Sequence, residues 1–99
     1  MTKFGAIRAT ERYPVRVSIE VMHPRSSRRI DVELCDLSKG GCRLASSESF
    51  SIGSQLLLTI EGLDPWPAAV AWTGEGFVGV SFHTPLDDSV AEFYARAFR

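Results

Sequence analysis

Val15-Arg16-Val17-Ser18-Ile19-Glu20-Val21 alternates apolar and polar side chains without a break. Successive side chains of an extended chain point to opposite faces. Val15, Val17, Ile19 and Val21 therefore share one face, and Arg16, Ser18 and Glu20 the other. That is the pattern of a strand with one face in a core. Residues 1–14 lack this period, and Pro14 stops the short helical turn available to Ile7–Arg12. They read as a flexible N-terminal arm ahead of a single domain over 15–99.

The same period recurs downstream. His23–Ser27 reads as a turn, after which Ile30, Val32 and Leu34 alternate with Arg29, Asp31 and Glu33, making a hairpin partner for the first strand. Cys42 and Leu44 flank Arg43 in a short third strand. Ala45–Gly53 is a polar loop, with Phe50 and Ile52 expected to anchor it to the core. Leu56, Leu58 and Ile60 share a face of a fourth strand, and Leu57 implies partial cover on the other. Trp66–Thr73 is a fifth strand in which Val70 and Trp72 fall on one face. Gly74-Glu75-Gly76 turns the chain into a sixth, with Val78, Val80 and Phe82 inward.

The period then changes. Leu86, Val90, Phe93, Tyr94 and Ala97 lie at helical spacing, predicting a helix over 85–98. Thr84 is the expected cap and Pro85 the first helical residue. Asp87 and Asp88 suit the positive end of the helix dipole, and Arg96 and Arg99 the negative end. Six short strands joined by tight turns and closed by one helix predict an all-β chain, an antiparallel barrel or sandwich.

Composition narrows the function classes. The chain has 99 residues, 44% of them hydrophobic, which suffices for one core without disulfides or a metal. No apolar run is long enough to span a bilayer, and Met1–Lys3 leads into no signal-like segment. A cytoplasmic location without membrane insertion is the expectation. Cys35 and Cys42 make no metal pattern with His23 and His83, so they read as small apolar strand residues, and no metal or cofactor is implied. The histidines have no nucleophile partner evident in the sequence, so an enzyme is not expected.

Charge is unevenly placed. Residues 1–43 hold nine basic and five acidic groups, and residues 44–99 two and seven, so halves of +4 and −5 make the net −1. Most of the basic residues are arginine, which forks onto phosphate and guanine edges. An anionic partner is implied for the N-terminal half.

Two motifs carry chemistry. Arg8 and Arg12 form an Arg-x-x-x-Arg pair on the arm. Asp36-Leu37-Ser38-Lys39-Gly40-Gly41 combines a carboxylate, a hydroxyl, an ammonium and two glycines between strands. Asp36 and Ser38, two apart, point to one side of an extended backbone. The glycines leave room for a ligand against the backbone. Each motif alone has a plain reading, a solvated tail and an Asx-turn respectively.

Together the two motifs resemble the PilZ domain family. The resemblance runs through Arg8-x-x-x-Arg12 before Tyr13-Pro14-Val15, Asp36-x-Ser38-x-x-Gly41 before Leu44, Val70-Ala71-Trp72, Gly79-Val80-Ser81-Phe82 and a closing helix. It implies a six-stranded antiparallel PilZ-type β-barrel that receives the bacterial second messenger cyclic di-GMP. Arg8 and Arg12 would wrap the ligand from the arm, with Asp36, Ser38, Gly40 and Gly41 beneath. Lys39, Arg43 and Trp72 are rim candidates, although the stronger reading of Trp72 is a core aromatic. Many members carry two adjacent arginines before the three-residue gap, where this chain has Ile7 ahead of Arg8. A receptor of this kind would relay its signal to a downstream protein effector. The alternatives are a PilZ-like adaptor that ignores the nucleotide, and a small barrel binding RNA or single-stranded DNA. The last suffers from a shortage of outward aromatics, Phe77 and Tyr13 being the obvious candidates.

Overall fold

The computed structural model describes residues 12–25, 28–60 and 64–98. Six strands and one helix follow in order: β1 Tyr13–Met22, β2 Arg29–Leu37, β3 Gly41–Ala45, β4 Gln55–Thr59, β5 Trp66–Gly74, β6 Phe77–Phe82 and α1 Asp88–Ala97. All strand pairs are antiparallel, and the order β1-β2-β3-β6-β5-β4 closes on itself through β1 and β4. The expected barrel is therefore the fold, with β1 and β2 as a hairpin.

The inward faces follow the alternation. Val15, Ile19, Val21, Val32, Leu34, Leu44, Leu56, Leu58, Ile60, Val78, Val80 and Phe82 are all buried. Leu34, Leu37, Leu44, Leu56 and Leu58 are almost wholly enclosed, so truncating any one to alanine costs about 2–5 kcal/mol. Leu57 is half-buried, as its apolar character on the outer face implied. Cys42 is buried and Cys35 half-buried, both as free thiols within strands.

Three strands break their period at a bulge. The register shifts between Pro14 and Val17 in β1, between Leu34 and Asp36 in β2, and between Val70 and Trp72 in β5. One extra residue inverts the facing of everything beyond it. Leu37 thus turns inward and Asp36 outward. In β5 the bulge overturns the expected shared face of Val70 and Trp72: Val70 is buried, while Trp72 is 43% exposed. The bulge in β1 also hides the first pairings from the sequence pattern. Tyr13 and Pro14 already pair with Leu37 and Asp36, so β1 starts two residues before the expected arm boundary. Proline is tolerated at a strand start.

Two further expectations are corrected. Ile52 does not anchor the β3–β4 loop; it is 68% exposed. Backbone bonds hold the loop instead, from Gly53 N–H to Val70 O (2.8 Å) and from Val70 N–H to Ser54 O (2.9 Å), with Gly53 in the left-handed region at φ 91°. Phe50 does pack on the core. The helix begins later than 85: its N-cap is Asp87, not Thr84, and Asp87 makes no side-chain capping bond. The reason lies in the strap 83–86. Leu86 N–H donates to Lys39 O (2.8 Å), His83 N–H to Pro67 O (3.1 Å), and Trp66 Nε1–H to Thr84 O (3.0 Å). Those bonds hold the strap extended across the barrel.

The helix face is rotated from the expected one. Ala91, Tyr94 and Ala95 are its buried residues, and Phe93 is 63% exposed. Alanines 91 and 95 let the helix approach the barrel closely, and Leu86, fixed in the strap, does not share its phase. Asp88 and Arg96 occupy the ends expected from the dipole.

Candidate functional site

The bulges create an outward row across five strands at one end of the barrel. Pro14 on β1 pairs with Asp36 on β2, Asp36 with Arg43 on β3, Arg43 with Gly79 on β6, and Gly79 with Trp72 on β5. Directly paired residues present side chains to the same face. At the usual strand spacing, Asp36 and Trp72 lie about 14 Å apart.

Asp36 is the centre of charge. Its side chain is only 16% exposed, and two guanidiniums converge on it. Arg12 Nη2 lies 3.6 Å from Oδ1 and Arg43 Nε 3.2 Å from Oδ2. Neither contact satisfies the buried atoms: Asp36 Oδ1 and Arg43 Nε are enclosed yet carry no hydrogen bond among the described residues. Buried polar atoms are nearly always bonded, so these two are exceptions. The Arg43 guanidinium also sits over the Phe77 ring, 4.7 Å from its centroid, which holds the side chain flat against β6.

Trp72 lies at the other end of the row. Its indole covers Gly79, where a Cβ would collide with the ring. Glycine at 79 therefore lets the indole lie down on β6 while leaving its outer face open. Sequence reading passed over Gly79 and misassigned Trp72 because neither bulge nor cross-strand neighbour is visible in a single strand's pattern. An aromatic following a buried valine at even spacing, with a glycine opposite, is the signal that pairing supplies.

The loop 38–41 has a different character from the one expected. Ser38 is not a neighbour of Asp36 on one exposed face; it is 2% exposed. Its hydroxyl donates to Gly41 O (3.1 Å) and accepts from Gly41 N–H (3.2 Å), while Ser38 N–H donates to the same carbonyl (2.8 Å). Gly41 is needed for contact with the barrel itself, since a Cβ there would strike the Val80 carbonyl. Gly40 is exposed with open space where a side chain would stand. Its carbonyl accepts from Phe82 N–H (2.9 Å). Lys39 reaches toward α1, 3.8 Å from Asp88, rather than toward Asp36. Arg8 lies outside the described residues.

The remaining arginines sort themselves by partner. Arg16 pairs with Glu33 (3.8 Å), Arg29 with Glu20 (3.6 Å) and Arg28 with Glu48 (3.1 Å). Such exposed pairs contribute about 1 kcal/mol or less each. Among the described residues, Arg12 and Arg43 are the two arginines that meet at the Asp36 carboxylate.

Comparison with known proteins bears on the fold and the family. No curated protein matches the chain. Among solved structures, the PilZ domain of CeSA from a cellulose-synthesizing bacterium superposes with a TM-score of 0.61 at 21% identity, covering 87% of this chain and 91% of that one. At that identity the likeness speaks for the fold. A family model, the PilZ domain, matches residues 6–96. With nearly the whole chain matched, the protein belongs to the PilZ domain family.

Proposed function

We propose that this chain is a non-catalytic receptor for cyclic di-GMP, bound on the outer row from Asp36 to Trp72. The observation that carries the reading is the Asp36 carboxylate, enclosed between Arg12 and Arg43 with an oxygen lacking any hydrogen bond. Guanine offers N1–H and N2–H₂ donors on one edge and O6 and N7 acceptors on another. Asp36 answers the donors, and an arginine fork answers the acceptors or a phosphate. Trp72 supplies a stacking face, which suits any purine. PilZ domains are known as cyclic di-GMP receptor domains, and they bind rather than catalyse.

Arg12 sits just ahead of β1, and Arg8 one turn of sequence before it would close over the ligand from the same arm. Ser38 and Gly41 act from behind, by fixing the loop that carries Asp36 to its neighbours. The output is contact with a protein effector in the cytoplasm; among the described residues no helix is long and apolar enough to cross a membrane.

Titration calorimetry with cyclic di-GMP tests the reading. Wild type should bind, and Arg12→Ala or Asp36→Ala should weaken binding at least tenfold. Arg28→Ala, which breaks a pair at the far end of the barrel, should leave it unchanged. Absence of heat and of NMR shifts at tens of micromolar protein would refute the receptor and leave the nucleotide-independent adaptor.

A further inference from the structure

The outward stripe of α1 is unpartnered among the described residues. Ser89, Glu92, Phe93, Arg96 and Ala97 are all exposed, opposite the buried Ala91, Tyr94 and Ala95. Phe93 is 63% exposed, one of the largest apolar exposures among the described residues. Its ring stands edge-on against Tyr94, with centroids 5.3 Å apart. The helix itself is fixed at both ends. Leu86 N–H is bound to Lys39 O just before it, and Arg16 N–H to Phe98 O just after it. Glu92 and Arg96 flank Phe93 on this stripe, and neither belongs to an ion pair among the described residues.

We propose that this face is a self-association surface on which two copies of the chain pair their α1 helices antiparallel about a two-fold axis. Its charge pattern is self-complementary. With the axis at the level of residue 94, Glu92 of each copy stands opposite Arg96 of the other, so one contact is made twice, as an isologous interface requires. Phe93 of one copy falls between Phe93 and Ala97 of the second, and the small Ala97 leaves room for the ring. Antiparallel helices also oppose their dipoles favourably. A parallel arrangement would instead set Glu92 against Glu92 and Arg96 against Arg96. A single ten-residue helix per copy buries less than the ~1,200 Å² of a standard interface, so the dimer is weak, with a dissociation constant on the order of 10⁻⁴ M.

Sedimentation velocity on the full chain from micromolar to millimolar concentration tests this, without ligand. The weight-average mass should climb from one chain toward two, and Phe93→Asp should hold it at one chain while circular dichroism shows an intact fold. Glu92→Arg alone and Arg96→Glu alone should each remain monomeric at low salt. An equimolar mixture of those two variants should form a heterodimer, because one then carries two arginines and the other two glutamates. A wild-type mass of one chain at millimolar concentration overturns the proposal. So does undiminished association of Phe93→Asp, or a charge-variant mixture that stays monomeric.

Discussion

Ser38→Ala separates two roles for the most buried polar side chain at the site. If the hydroxyl is a lock, its loss strips the partner from Gly41 N–H in a buried loop, and an orphaned buried donor costs about 1–3 kcal/mol. The other half of the exchange is cheap. Gly41 O keeps the bond from Ser38 N–H at 2.8 Å, so it is not left bare. A domain of this size shifts its melting temperature by roughly 4–8 °C per kcal/mol, so the variant should melt about 5–20 °C below wild type. Thermal unfolding followed by circular dichroism reads this directly. Calorimetric titration with cyclic di-GMP, run where both proteins are folded, then reads affinity separately. The lock predicts a large fall in melting temperature with a smaller change in affinity. An unchanged melting temperature together with a loss of roughly tenfold in affinity, about 1.4 kcal/mol, would refute it and make Ser38 a direct ligand contact.

Gly79→Ala should push the Trp72 indole off β6 and weaken cyclic di-GMP binding severalfold, with little change in melting temperature because the indole is already half in solvent; tryptophan fluorescence and calorimetry check both parts. Gly41→Ala should instead destabilise by about 1–3 kcal/mol in urea unfolding, since the new methyl meets the Val80 backbone and cannot be accommodated by a side-chain rotation. Burial first, and then the negative charge of Asp36, push the Cys42 thiol far above its ordinary value of 9.0. The unfolded chain ionises this thiol first, so its stability contribution is intact below about pH 9 and is lost as pH rises beyond. Urea midpoints between pH 8 and 10.5 should fall less steeply for Cys42→Ala than for wild type.

Most of the barrel was legible because burial on one face writes a period of two into a strand. The inward rows of β1, β2, β4 and β6 are where the alternation puts them, and the helix appears where the period changes. Its start was misplaced because Pro85 and Thr84 look like a helix opening, whereas backbone bonds to the Lys39 and Pro67 carbonyls hold that strap extended. Half the candidate site was legible as well: Asp36 and Arg12 are residue types that a guanine or phosphate demands, and their motif spacing singled them out. The structure brings them within 3.6 Å. Arg43 and Trp72 were harder. Their place in the site comes from pairing partners far along the chain, Gly79 for both, and a strand's own residues do not say which strand lies beside it. Ser38 carries a role that its polarity alone did not show. The distances to Gly41 reveal that the loop itself uses the hydroxyl.

The bulges also make the site a matter of pairing register rather than of residue count. Asp36 and Trp72 face solvent because they stand opposite Arg43 and Gly79, and the extra residue ahead of each is absorbed in the bulge. Deleting Ala71 alone would remove the bulge and leave Val70 and Trp72 adjacent, still paired with Val80 and Gly79, so regular alternation would keep the indole outward over Gly79. A binding surface of this kind can therefore survive a single-codon change in length at the bulge. A chain with one residue fewer between Val70 and Trp72 would present the same face to the ligand from an unbulged strand.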